Sequence, residues 1–562
     1  MRRPAHRPRT PRPHRADPTY HADPTYRTDR SHPTRAHRPH RARRLGAAAL
    51  VAGLLATLSW SSPVGAEPTA PPGLPEAIDA ILADPRLDGA TAGVVVADAD
   101  SGAVRYAHRP EERLLPASNA KLTTSAAALE LLGPDHRFAT EVLAHGPRRG
   151  TVLAGDLYLR GTGDPTLLAA DYRALAARVA RAGITRVTGH LVADDTRFDR
   201  ARIGRGWAAD DESAYYAAPI SALTVAPDTD YDAGSVVVHT TPGAREGDRP
   251  RVRTVPHSRY PRVVNRASTV PAGRPRTLAV ERAHGGDTLT VSGAIPLDGQ
   301  PGKEWVSVWE PTVHAAAVFA EALAAEGVRV DGATRTGRPT PADAEPVATH
   351  RSMPLSKLLL PFLKLSNNTH AEVLTKTIGY ERAGRGSWGA GLAAVEGYLR
   401  AEGVETARLR QVDGSGLSRM NALTAGQLTR LLLAVRDAPW YPLWHAALPV
   451  ACDPDRLTGG TLRSRMCDTP AARNARAKTG SLTGASALTG YVTDRAGREL
   501  AYSVVLNHHL APSVKDVEDA IVVTLAASDD HETTRAPRRP AADRARGRSG
   551  ALECAWRKPL TC

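Results

Sequence analysis

Lysine is scarce in this 562-residue chain: there are eight, against sixty-five arginines. Arginine stays protonated at any workable pH, so a cation able to give up its proton must come from those eight positions. Cysteine is also sparse. There are four, with no Cys-x-x-Cys or Cys/His spacing to suggest zinc, and the even count suits an oxidising compartment. Gly-x-Ser-x-Gly and His-Glu-x-x-His are absent, which removes the hydrolase elbow and the zinc-protease helix. His370-Ala371-Glu372 has no Cys-x-x-Cys to complete a deaminase, and Gly161-Thr162-Gly163 is too short for a dinucleotide loop. The twenty histidines show no metal spacing, so neither metal nor cofactor is expected.

The net charge of +14 suggests a nucleic-acid partner until it is located along the chain. Residues 1–44 carry thirteen Arg against three Asp, and 531–562 carry eight Lys or Arg against three Asp or Glu. Residues 67–530 then sum to −1, which argues against a basic groove and a nucleic-acid partner. Residues 1–44, rich in Arg, His, Pro and Thr, lack the apolar content for a core and read as a disordered lead. Sixteen uncharged residues follow, Leu45 to Trp60, then a small-residue end at Val64-Gly65-Ala66. This is the pattern of a secretory signal over 45–66 with cleavage after Ala66; the run is short for a stable span, and an uncleaved anchor is the alternative. Membrane contact is expected only through this segment.

Ser118-Asn119-Ala120-Lys121 is the only place where a serine stands three residues before a lysine. Pro116 and Ala117 open a helix whose apolar side is Leu122, Ala126, Leu129 and Leu132, ended by Gly133-Pro134. On that helix the Lys121 amine lies one turn from the Ser118 hydroxyl on the same face, where a desolvated lysine can serve as general base. Ser366-Asn367-Asn368 and Lys478-Thr479-Gly480 are each unique in the chain. The three motifs in this order resemble those of penicillin-binding proteins and serine β-lactamases. Their intervals, with Asp413-Gly414-Ser415-Gly416-Leu417-Ser418-Arg419 between the last two, resemble one branch. That branch is the low-molecular-mass class C penicillin-binding proteins, the D-alanyl-D-alanine carboxypeptidase/endopeptidase family, and the likeness runs from Pro71 to Ala527.

The resemblance implies an α+β fold: a penicillin-recognising serine transpeptidase/β-lactamase-like domain, an antiparallel sheet with helices on both sides, with a large inserted β-rich domain. The chain divides accordingly into 67–139 and 343–528 for the catalytic domain, 140–342 for the insertion and 529–562 for a basic, disordered tail. Expected strands are Thr91–Ala97, Ala103–Ala107, the segment bearing Lys478, Ala485–Val492 and Leu500–Asn507. Expected helices include Tyr172–Ala182, Leu355–Leu363, Glu372–Tyr380, Ala390–Ala401, Thr424–Val435 and Val514–Ala527, with Gly- and Pro-rich β segments running to about Thr340. Sequential disulfides 452–467 and 554–562 are the expected pairing among three.

By resemblance, Ser118 is the nucleophile, Lys121 its base and Ser366 the bridge that returns the proton, with Lys478 beside it. Asn368 holds the substrate's amide; Lys478, Thr479, Gly480 and Ser481 form the strand edge where the terminal carboxylate docks. Ser481 stands where the family usually has Thr and keeps the hydroxyl. The oxyanion sits between the N–H groups of Ser118 and Ser481. Ser415, Leu417 and Arg419 from the Gly-rich turn, and Trp207, Asp210 and Tyr215 from the insertion, flank the substrate's side chain. Asn367 has no chemistry to assign. The expected partners are peptidoglycan stem peptides, with β-lactam antibiotics as covalent inhibitors. Two rivals stand: a serine β-lactamase, against which Glu-x-x-Leu-Asn is absent, and a catalytically silent wall-binding protein, which would have no use for Lys121 or Lys478.

Overall fold

Along Leu500 to Leu506, residues 500, 502, 504 and 506 join one buried cluster, while Ala501 and Val505 join another. Such period-two alternation with apolar residues on both faces is that of a strand covered on both sides. The computed structural model describes residues 73–529 and Lys558, which fall within one compact unit. The Glu499–Asn507 strand is central in a five-stranded sheet ordered Val104–His108, Thr91–Asp98, Glu499–Asn507, Ala485–Thr493, Arg476–Leu482, with every pairing antiparallel. One face packs against the first and last helices, Leu74–Leu82 and Lys515–Ala527, through Ile78, Val517, Ile521 and Leu525. The opposite face packs against helices between residues 120 and 447, through Leu122, Phe362, Leu374, Leu428 and Trp444. Each such side chain contributes ~1.5–3 kcal/mol by leaving water. This is an α+β architecture whose main sheet is built from the two ends of the described chain.

The Ala120–Leu132 helix differs from the one-sided helix its sequence suggests: every residue from Ala120 to Leu129 is buried. Its polar residues are satisfied inside the protein. Thr123 donates to Gln411 (2.9 Å), Thr124 to the Gly414 carbonyl (2.8 Å), and Ser125 accepts from Trp444 Nε1 (2.7 Å). Small residues at Ala120, Ala126, Ala127 and Ala128 let neighbours approach from all sides, so the helix is a central strut.

Between the sheet's two halves lie further sheets. The largest is mixed, ordered Thr334–Thr336, Leu191–Asp194, Asp156–Gly161, Ala139–His145, Glu345–Arg351. It packs against Ala169–Arg181 and a fifteen-residue helix, Pro311–Ala325. The second of these helices corrects the expectation of β segments running to Thr340. Pro311 at the first helical position is preset for helix, and Ala315, Ala316, Phe319 and Leu323 form the buried stripe. Ser235–Thr241 centres a small three-stranded sheet with Arg251–Val255 and Gly302–Ser307. Cys452 and Cys467 are bonded; the expected 554–562 pair and the signal segment lie outside the described residues.

Candidate active site

Ser118 sits in a single 3-10 turn, Ala117–Asn119, that runs into the Ala120–Leu132 helix. The tighter 3-10 winding stacks residues three apart, which aligns Ser118 with Lys121. Ala117 holds φ 45°, a sparsely populated region for a residue with a Cβ. The turn is fixed from outside: Asn119 donates to Thr489 Oγ1 (2.8 Å) on the sheet, and Asn507 accepts from the Leu115 N–H (2.7 Å). Gly480 lets the edge strand approach, since a Cβ there would lie 2.8 Å from the Pro116 carbonyl. Gly416 is required more strictly: at φ 84° a Cβ would lie 1.8 Å from the Ala117 carbonyl.

Lys121 is fully buried, and its Nζ lies 2.8 Å from Ser118 Oγ, 2.6 Å from Asn368 Oδ1 and 2.8 Å from the Ser415 carbonyl. Burial pushes its pKa down to about 7, against the upward pull of Glu372 and Asp413. As a free amine it gives its two N–H groups to the two carbonyl oxygens, leaving the lone pair for the Ser118 hydroxyl proton. Lys478 is also fully buried; its Nζ donates to Ser366 Oγ (2.8 Å) and the Thr479 carbonyl (2.7 Å). Burial drives its pKa well down, aided by the nearby charges of Lys121 and Lys515.

Ser366 also has a positive φ, 57°, between the Leu355–Lys364 and Asn368–Ala383 helices. Asn367 caps the second helix by accepting from His370 N–H (3.1 Å), while its amide donates to the Asp230 and Tyr231 carbonyls and to Asp232 Oδ1. That gives Asn367 a structural role in gripping the 230–232 segment. Asn368 is the first helical residue, one turn earlier than the expected start at Glu372, and its amide donates to the Tyr216 carbonyl (2.7 Å).

These groups open onto a cleft of about 830 Å³. Its walls include Ser118, Ser366, Asn368, Tyr215, Leu417, Arg419, Thr479 and Ser481 among the residues singled out from sequence. Lys121, Lys478 and Gly480 lie buried behind it. Three others face elsewhere. Ser415 turns its carbonyl to Lys121, and its hydroxyl accepts from the Leu417 N–H (3.2 Å). Trp207 donates to Asp413 Oδ2 (2.9 Å) and stacks edge-on to Trp388, bracing the Gly-rich turn from behind. Asp210 is exposed and outside the lining, which instead includes Asp211, the acceptor of the Tyr216 hydroxyl (2.7 Å).

Some contributors were not legible. Glu372 is fully buried and accepts from the Gly414 and Ser415 N–H groups (2.8 and 2.9 Å) and Trp388 Nε1 (2.7 Å). It lies four residues after Asn368, hence on the same helix face, a spacing hidden by placing the helix start too late. Asp413 accepts from the N–H groups of Gly416 and Ser418, so two buried carboxylates shape the turn whose carbonyl meets Lys121. At the cleft's other end, Lys558 ion-pairs with Asp230 and Asp232, and Arg456 with Asp230. Asp228, Asp230 and Asp232 are the acidic group whose oxygens converge among the described residues; Asp230 and Asp232 take their counter-charges from the chain itself, and Asp228 accepts from Trp305 Nε1 (3.0 Å).

Residues 74–528 match the D-Ala-D-Ala carboxypeptidase 3 (S13) family. The chain belongs to that family. It is a serine D-Ala-D-Ala carboxypeptidase, a peptide hydrolase. It is 48% identical over 491 residues to the D-alanyl-D-alanine carboxypeptidase of Actinomadura sp. (strain R39), covering 86% of this chain and 89% of that one. It is 24% identical over 422 residues to D-alanyl-D-alanine carboxypeptidase DacB of Haemophilus influenzae, covering 75% and 86%. The crystal structure of penicillin binding protein 4 (dacB) from Haemophilus influenzae superposes with a TM-score of 0.68 at 25% identity, covering 80% of this chain and 97% of that one. A second structure of that protein is complexed with a β-lactam. The α+β fold read from the motifs is therefore that of this family.

Proposed function

We propose that this S13 peptidase works through an acyl-enzyme on Ser118, on the stem peptides of peptidoglycan. The Ser118 oxygen attacks the carbonyl carbon of the penultimate D-alanine while its proton passes to the Lys121 amine. The tetrahedral oxyanion lies between the Ser118 and Ser481 N–H groups. The C–N bond then breaks as the proton reaches the leaving amine through Ser366, and D-alanine, or the amine of a cross-bridge, departs. Water hydrolyses the ester and restores the Ser118 hydroxyl. Penicillins enter the same path, since their strained amide presents the same carbonyl and carboxylate. The observation that carries this reading is the Lys121 amine, fully buried and 2.8 Å from Ser118 Oγ, with its N–H directions already taken by two carbonyls.

Asn368 holds the peptide amide and Thr479 with Ser481 receives the terminal carboxylate, both lining the cleft. We read 67–139 and 343–528 as the catalytic domain and 140–342 as an insertion, in keeping with a main sheet drawn from both ends. Export through segment 45–66 to the cell wall fits the Cys452–Cys467 bond, since such bonds persist in oxidising compartments. Among the described residues no helix is long and apolar enough to cross a membrane. The test is D-alanine release from a peptide ending in D-Ala-D-Ala. The wild-type chain is expected to release it, Ser118→Ala not at all, and Lys121→Arg at least ~10²-fold more slowly, because Arg keeps the charge but cannot take the proton. Release by Ser118→Ala would overturn the assignment.

A further inference from the structure

Three of the eight lysines converge beneath the cleft, and the mechanism uses only Lys121 and Lys478. Lys515, the first residue of the Lys515–Ala527 helix, is buried, and its ammonium donates to Ser481 Oγ. Its backbone is anchored, because the Lys515 carbonyl accepts from Arg465 Nη2 (3.0 Å), and Arg465 is itself held by Glu518 and Asp519. The amine is thus delivered to one oxygen by a fixed helix end.

The chemistry of that contact is directional. A hydroxyl has one proton and two lone pairs, whereas an ammonium only donates. With Lys515 donating into one lone pair, the Ser481 proton is left to point elsewhere, and Ser481 borders the cleft beside Thr479 and Pro512. A compact ammonium suits a single oxygen, where the forked guanidinium used elsewhere in this chain would demand two acceptors. The charge of Lys515, which also disfavours a charged Lys478, adds to the attraction for an anion at Ser481.

We propose that Lys515 is a positioning residue for substrate selection: it orients and polarises the Ser481 hydroxyl so that this end of the cleft favours acyl donors whose leaving group carries a carboxylate. The idea rests on Ser118 being the nucleophile and on the edge strand receiving that leaving group. Lys515 touches the substrate only through Ser481.

The experiment compares two thioester acyl donors with the same acyl group, one with a carboxylate on its leaving group and one with that carboxylate methylated. Acyl-Ser118 formation is followed by intact mass in the wild type, Lys515→Gln, Lys515→Arg and Ser481→Ala. Lys515→Gln is expected to lower kcat/KM for the carboxylate donor by roughly 10- to 100-fold, the range of one charged hydrogen bond, chiefly through KM. The neutral donor should change less than about twofold. Lys515→Arg should recover part of the loss, and Ser481→Ala, which leaves the lysine in place, should show the same selective loss for the carboxylate donor. Adding Lys515→Gln to Ser481→Ala should bring no further loss. Equal losses for both donors, whether from a purely structural role or from failure to fold, would overturn the proposal if Ser481→Ala showed them too. An unchanged preference in both variants would also overturn it. A wild-type chain acylated by neither donor would sink the Ser118 assignment first, and this inference with it.

Discussion

At the scale of single residues, the site works by setting one amine apart. Lys121 has its pKa at about 7 because burial opposes its charge more than Glu372 and Asp413 support it. With Lys121 as the proposed base the active form is the free amine, so activity is expected to fall as pH drops through that value and to be retained above it. The acylation rate is therefore expected to drop about tenfold per unit below pH ~7 and to level off above it, as read from a pH profile of kcat/KM. Burial and Asp413 hold the Glu372 carboxyl up to about 7, so its charge raises the Lys121 pKa only on the upper part of the limb, and Glu372→Gln should move that part to lower pH. A limb that stays in place, with lower activity throughout, would mean Glu372 only shapes the turn. Ser118, Lys121, Ser366 and Lys478 were legible because the chain spends lysine so sparingly and each motif occurs once. Glu372 was not, since a lone acid in an apolar helix carries no signal until the helix register is known. Trp207 and Ser415 were legible as positions, but the way each side chain turns depends on Asp413 and on the Leu417 N–H, which only the folded chain brings near.

At the scale of elements, the main-sheet strands were readable from their apolar runs and turns, and most helices from Leu355 on from their periodicity; the seven-residue Tyr441–Ala447 helix, too short to show a period, was not read. The Ala120–Leu132 helix was readable as a helix but not as a buried strut, because alanine, serine and threonine look neutral until their partners are present. Pro311–Ala325 was missed because the surrounding Gly- and Pro-rich texture set the expectation for the stretch. The Cys452–Cys467 bond spans fifteen residues and encloses Thr461, whose hydroxyl accepts from Thr479 (2.8 Å). Closing such a loop is worth roughly 3 kcal/mol on chain-entropy grounds. The Cys452→Ala, Cys467→Ala pair should lose about that much in denaturant unfolding and weaken substrate binding at Thr479. Full stability in the double variant would contradict this.

At the scale of the whole molecule, one cleft is assembled from segments far apart in sequence: the 117–121 turn, the 211–232 loops, the 366–368 helix start, the 413–419 turn and the 476–482 strand. The three motifs made their meeting legible; which neighbouring acid reaches the cleft was set by loop geometry, so Asp211 lines it and Asp210 does not. With Arg419 also in the lining, a zwitterionic side-chain end such as a free diaminopimelate centre has an acid and a base to meet. A stem peptide with that end should be cleaved faster than one ending in acetylated lysine. The advantage should shrink roughly 10- to 100-fold in Asp211→Ala and persist in Asp210→Ala, and equal kcat/KM for the two peptides would reduce these loops to plain surface.

The central claim, that a buried Lys121 makes Ser118 the nucleophile of a D-Ala-D-Ala peptidase, is tested most directly by intact mass of protein 67–562 with penicillin, followed over hours. The account predicts one adduct of penicillin's mass, mapped to the Ser118 peptide, lost only slowly and absent in Ser118→Ala. An adduct on another residue, one that disappears within seconds as a β-lactamase would show, or none at all would contradict it.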